Sequence, residues 1–127
     1  MDNIRRRSRD YVCPKCFYSP EKCKCDLYSQ FLILIDYPMQ YAIQELNKHG
    51  FKTMDCCAGH YDDKIYNTYV SFFQKPSEIL PDGFKAETNR SAYVLRHIYK
   101  NKDDFLDNQR NVIESLNIWV NKICGNE

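Results

Sequence analysis

FLILIDYPMQYAIQELNKHGFKTMDCCAGH, residues 31–60, decides the fold. Residues 31–35 (FLILI) are a continuous apolar run, too short for a stable helix and matched to a strand buried on both faces. Asp36 stands where it can cap a following helix, and Pro38 falls near that helix's first position, where a missing N–H costs nothing. Met39, Ala42, Ile43 and Leu46 then recur at helical spacing, and Gly50 supplies a left-handed stop. Residues 51–55 read as a second strand. Strand, helix and strand in this order predict a right-handed crossover that lays 51–55 parallel to 31–35. The small-residue loop 56–60 then leaves from the carboxyl ends of both strands, where parallel sheets place their ligand crevices.

Downstream, residues 64–74 (KIYNTYVSFFQ) are rich in β-branched and aromatic side chains and read as a strand that turns back antiparallel, ended by Pro76. Residues 76–83 (PSEILPDG) are turn chemistry around Ile79 and Leu80, an apolar pair expected to pack as a lid over the sheet edge. Residues 84–88 and 91–99 flank Asn89 and Arg90 as a hairpin. Asp103 or Asp104 then caps a last helix, with Phe105, Leu106, Val112, Ile113, Leu116, Trp119, Val120 and Ile123 on one face and Gly125 at its end. The fold expected is α+β in two layers: a four- or five-stranded mixed sheet, two helices on one face and an N-terminal zinc knuckle. Repeats and low-complexity tracts are absent.

At 127 residues the chain is long enough for one core, and 28% charged against 43% apolar residues is ordinary for a globular domain. No apolar run approaches the roughly 18–20 residues that span a bilayer, and nothing resembles a secretory signal, so a cytoplasmic protein without a membrane partner is expected. Net charge is +1, but the first 25 residues hold seven Lys or Arg against three acids. Residues 1–10 read as a flexible basic arm ahead of a single domain at 11–127. Arg5, Arg6, Arg7 and Arg9 give it a weak nucleic-acid contact by counterion release, or simply a solvated tail. A wider basic surface, the mark of a dedicated nucleic-acid reader, is not visible.

Seven cysteines in a small cytosolic chain point to metal rather than disulfides. Cys13-Pro-Lys-Cys16 is a knuckle in which both thiolates face one ion, and Cys23 and Cys25 follow six residues later. These four can close tetrahedrally on one Zn²⁺ within a module spanning residues 11–26. The short gap also lets His60 or Cys57 substitute for one thiolate of the Cys-x-Cys pair. A saturated four-thiolate site has no open position, so this zinc is architecture.

The loop supports several chemistries. Cys57 and His60 are three apart, close enough to act as nucleophile and base if the turn joins them, yet no third group is identifiable as orienter. The same pair can bind a metal with two further ligands. The N–H groups of residues 57–60 can instead capture an anion, with His60 and Lys52 adding charge. The blandest reading is a buried thiol at Cys56 and a structural turn at Gly59. Tyr66 and Tyr69 can stack on a base-like ring and Arg96 can meet a phosphate, although aromatic strands usually serve the core. The ligand-binding set is therefore Lys52, Cys57, Ala58, Gly59, His60, Tyr66, Tyr69 and Arg96. His49 reads as a partial cation at a helix end, His97 as a satisfied strand residue and Cys124 as a terminal helical thiol.

Cys13 to Cys16, the GFKTMDCCAGH segment at 50–60, the YVSF strand at 69–72 and the LPDGF turn at 80–84 together resemble a group of small uncharacterised zinc-knuckle proteins of bacteria and their phages. The resemblance covers most of residues 11–99 and implies a host-takeover or anti-defence setting in the host cytoplasm, with no activity attached. Asn47, Thr53 and residues 57–59 are similar, more weakly, to the methyltransferase family of tRNA wybutosine synthesis, in which an Arg follows the glycine where this chain has His60. The functional expectation is a zinc-stabilised accessory protein that binds a nucleotide-like anion or a host protein at the loop without turnover, because no complete catalytic constellation is visible. The alternative is a small RNA- or nucleotide-modifying enzyme acting through Cys57 and His60. The oligomeric state is not legible.

Overall fold

The computed structural model describes residues 9–13, 33–60 and 64–126. Its elements are β1 (Arg9–Val12), β2 (Ile33–Asp36), a 3-10 turn (Tyr37–Met39), α1 (Gln40–Lys48), β3 (Thr53–Cys57), β4 (Asn67–Phe72), β5 (Lys85–Thr88), β6 (Tyr93–Ile98) and α2 (Lys102–Cys124). The architecture is α+β, with a four-stranded sheet in the order β3-β4-β6-β5 and a two-stranded sheet of β1 and β2. Cys56, Val70 and Leu95 form a cross-strand row, and they share one core with Met39, Ala42, Ile43 and Leu46 around α1 and with Phe105, Leu116 and Val120 of α2.

Every hydrogen-bonded ladder among the described residues is antiparallel, so the mixed sheet expected from the crossover is not what forms. β2 pairs with β1, Arg9 facing Asp36 and Val12 facing Ile33, which also takes Arg9 and Asp10 out of the flexible arm. β2 nonetheless runs beside β3. A register shift between Thr53 and Asp55 bends β3. At this edge Asp36 makes the tie, its N–H donating to Cys56 Sγ at 3.4 Å and its carboxylate accepting from Ala58 N–H. The carboxyl ends of the two strands therefore converge, as the crossover argument required.

Asp36 does not cap α1: Met39 occupies the cap position without a side-chain bond. The end of that helix is fixed instead by Asn47, whose side chain donates to Ile43 O and Thr53 Oγ1 and accepts from Thr53 N–H, tying α1 to the start of β3. The 84–99 hairpin forms as expected, with Asn89 Oδ1 accepting from the N–H groups of Ser91 and Ala92 in the turn. The lid at 79–80 forms in part: Leu80 packs on the core while Ile79 is exposed, its carbonyl accepting Trp119 Nε1–H at 2.7 Å.

The long helix α2 starts on Asn101 rather than on Asp103 or Asp104, and it ends at Gly125 in the left-handed region. Its buried stripe is Phe105, Val112, Leu116, Trp119 and Val120; Leu106, one residue round the helix from Phe105, points to water. Asn101 Oδ1 accepts from Asp104 N–H, and the Asp104 carboxylate accepts from Lys100 N–H at 2.8 Å and from the Asn108 amide at 2.7 Å. These bonds, that of Lys100 first, hold the Asp104 carboxyl below its ordinary range. A lowered carboxyl pKa contributes stability that is present above the unfolded value and lost as pH falls through the folded one. Asp104→Asn is accordingly expected to melt below the wild type at neutral pH, with the gap shrinking as the carboxyl protonates. A pH-independent gap in melting temperature would contradict this role.

Candidate metal centre

Asp36 is fully buried at the end of β2. A carboxylate removed from water must be compensated, because the cost of burying an isolated charge far exceeds a hydrogen bond. One oxygen is: Oδ2 accepts from Ala58 N–H at 2.8 Å and lies 3.5 Å from His60 Nε2. The other, Oδ1, has no hydrogen-bond partner among the described residues. Cys57, the last residue of β3, is 4% exposed and its Sγ accepts from Gly59 N–H at 3.3 Å. The His60 side chain is 26% exposed, so the cluster meets solvent on the imidazole side.

One donor atom from each of Asp36, Cys57 and His60 lies within 4.8 Å of the other two, and together they form a group that can hold a metal ion. Carboxylate oxygen, thiolate and imidazole are all zinc donors, at about 2.0–2.3 Å, which sets tetrahedral ligand atoms roughly 3.3–3.8 Å apart. Shifts of about 1 Å or less would bring these three into that range. Supplying three of the four positions of a tetrahedral ion leaves one for a further donor.

The loop between these ligands is held from three sides. Ala58 is fully buried; its N–H goes to Asp36 of β2, and its carbonyl accepts from Thr68 Oγ1 of β4 at 2.9 Å and from Gln109 Nε2 of α2 at 2.6 Å. Thr68 is braced by the Tyr99 hydroxyl at 2.8 Å, and burial pushes that phenol up to about 12, so it stays a neutral hydroxyl at physiological pH. Gly59 has φ +98°, and a Cβ there would stand 2.7 Å from Phe105 Cε1 and 2.8 Å from Asn67 O. Only glycine suits both the dihedral and the space.

No protein-family model, curated protein or solved structure matches this chain.

Cys57 and His60 are brought together as the sequence suggested, and Asp36 is the member that the sequence reading missed. Its signal was an acid closing a wholly apolar strand, at the carboxyl end that the crossover places beside the loop. The amides offered to an outside anion are used internally, Ala58 N–H by Asp36 and Gly59 N–H by Cys57, because a buried carboxylate and thiol already sit there. Lys52 precedes β3, its carbonyl accepting from Phe73 N–H, and the length of the strand separates it from the loop. Tyr66 stacks on Phe105 at 5.3 Å and packs on the core. Tyr69 and Arg96 do share a sheet row with Cys57; the guanidinium lies 4.9 Å over the Tyr69 ring and also bonds Asn67 and Glu87.

Of the knuckle thiols, Cys13 is described and buried, while Cys16, Cys23 and Cys25 lie outside the described residues, as do Arg5, Arg6 and Arg7. Cys13 follows β1 at the end that pairs with Ile33, whereas Asp36 faces Arg9 at the other end. About four residues of strand, roughly 13 Å, separate the two ends. Along the strands, Cys13 thus lies at the opposite end from the group of Asp36, Cys57 and His60. His49 and His97 each have a ring nitrogen hydrogen-bonded to a backbone carbonyl, of Glu45 and Gly83, and the Cys124 thiol meets Glu45 O.

Proposed function

We propose that this chain is a zinc-binding protein whose functional centre is Asp36, Cys57 and His60, with the ion's remaining position open to a ligand from outside. The observation that carries this reading is the fully buried Asp36 carboxylate, whose Oδ1 has no hydrogen-bond partner among the described residues, grouped with a thiol and an imidazole. An ion held by this group would give the buried carboxylate a further partner and offset its charge. The anion-binding role assigned to the loop amides then passes to the metal, which recruits an electron-pair donor such as a phosphate or carboxylate oxygen. The protein so described binds its ligand and needs no turnover. Cys13, Cys16, Cys23 and Cys25 are proposed to hold a separate, structural zinc.

A thiol enzyme is the second reading, favoured by the Asp36 carboxylate beside His60, which supplies the orienting group that a thiol and imidazole alone lack. Two facts weigh against it: 3.5 Å is too long for a hydrogen bond, and a thiol 4% exposed is poorly placed to attack a substrate.

Elemental analysis of the purified full chain separates the two. The wild type is expected to carry one more zinc than Asp36→Ala, Cys57→Ala or His60→Ala. Equal zinc in all four proteins would overturn the metal reading, and ready alkylation of Cys57 in that zinc-free site would favour the enzyme.

A further inference from the structure

We infer that Gln109, on the far helix α2, is the positioning residue of the metal centre: it sets the Gly59 conformation that places His60 against Asp36 and Cys57. The inference rests on the metal reading above and extends it to a residue about fifty positions away in sequence. Gln109 Nε2 donates to Ala58 O at 2.6 Å and to Gly59 O at 3.3 Å. Its amide has two hydrogens, enough for both carbonyls. Those carbonyls belong to the two peptide groups on either side of Gly59, the second of which carries the His60 nitrogen.

Glycine is the residue with the widest backbone freedom, so the Cys57–His60 separation is only as well defined as the bonds that clamp its neighbours. Thr68 and Asp36 hold the Ala58 side. Among the described hydrogen bonds, Gln109 alone spans both peptides. With that clamp in place the three donors are set before the ion arrives; without it, the ion must order the loop as it binds, and affinity falls. Partners that orient metal ligands in this indirect way typically change metal affinity by about 10–100-fold. A glutamine on a helix surface would otherwise extend into water, whereas this one is half-buried and committed to the loop.

The test is Gln109→Met, which keeps length and volume but removes both donors, in the full chain. Zinc affinity is measured by competition with a chromophoric chelator, counting the zinc that His60→Ala lacks, and melting of the metal-stripped protein is recorded alongside. The expected result is zinc affinity weaker by about tenfold or more, with metal-free melting close to that of the wild type. Should Gln109→Met fail to fold, Gln109→Asn, one methylene too short to reach, is expected to show the same loss. Wild-type affinity in either variant overturns the inference. So does a loss matched by an equal weakening of the metal-free fold, which would make Gln109 a packing residue. A wild type with no zinc to lose at this centre would instead remove the metal reading, and the positioning role with it.

Discussion

Trp119→Ala is expected to lower the unfolding free energy by about 3–5 kcal/mol, a large part of the 5–15 kcal/mol of an ordinary domain. Trp119 is 3% exposed on the buried stripe of α2 and meets Phe72 of β4 edge-on, with ring centroids 6.4 Å apart. Truncation leaves a cavity between helix and sheet and strips Ile79 O of the indole N–H that it accepts. For a chain of this length the loss corresponds to roughly 10–20 °C in melting temperature. A Trp119→Ala protein that melts cooperatively at the wild-type temperature would show that α2 is not seated on the sheet as described.

The second large effect is expected at Gly59. An alanine there meets the left-handed penalty of about 1–2 kcal/mol, and its Cβ also runs into Phe105 and the carbonyl of Asn67. Overpacking of this kind adds about 1–3 kcal/mol, since the Asn67 contact is backbone and cannot swing aside. Gly50→Ala is the internal control: its φ is +87° but nothing lies within 4 Å of the added methyl, so only the conformational cost of about 1–2 kcal/mol applies. Denaturant melts of the two variants should therefore separate, with Gly59→Ala the weaker and also depleted in zinc. Equal losses would mean that the loop has more room than the structure gives it.

Much of this was legible in the chain. The Met39, Ala42, Ile43 and Leu46 spacing, the Asn89 turn and the Gly125 stop are local signals, fixed by a few neighbouring residues, and each element formed where they placed it. Cys57 and His60 were legible for the same reason, being three apart on one turn. Asp36 and Gln109 were not, because what they do depends on residues about twenty and fifty positions away. Asp36 two residues before Pro38 looks like a helix cap to any local rule, and only the packing of β2 against β3 turns its carboxylate toward Ala58. Lys52 failed in the opposite way: near the loop in sequence, it is carried to the far end of a five-residue strand, about 16 Å away at 3.3 Å per residue. Leu106 falls outside the buried face expected for it because it lies about 100° round the helix from Phe105.

The central claim is that a metal sits between Asp36, Cys57 and His60, and cobalt(II) substitution tests it most directly. The metal-stripped full chain is refilled with cobalt(II), and its visible and near-ultraviolet spectrum is compared with that of Cys57→Ser treated identically. The account predicts a difference spectrum with the intense ligand-field bands of a tetrahedral ion and a charge-transfer band from one thiolate, equivalent to one cobalt per chain. Superimposable spectra from the two proteins would contradict it, since Cys57 would then bind no metal.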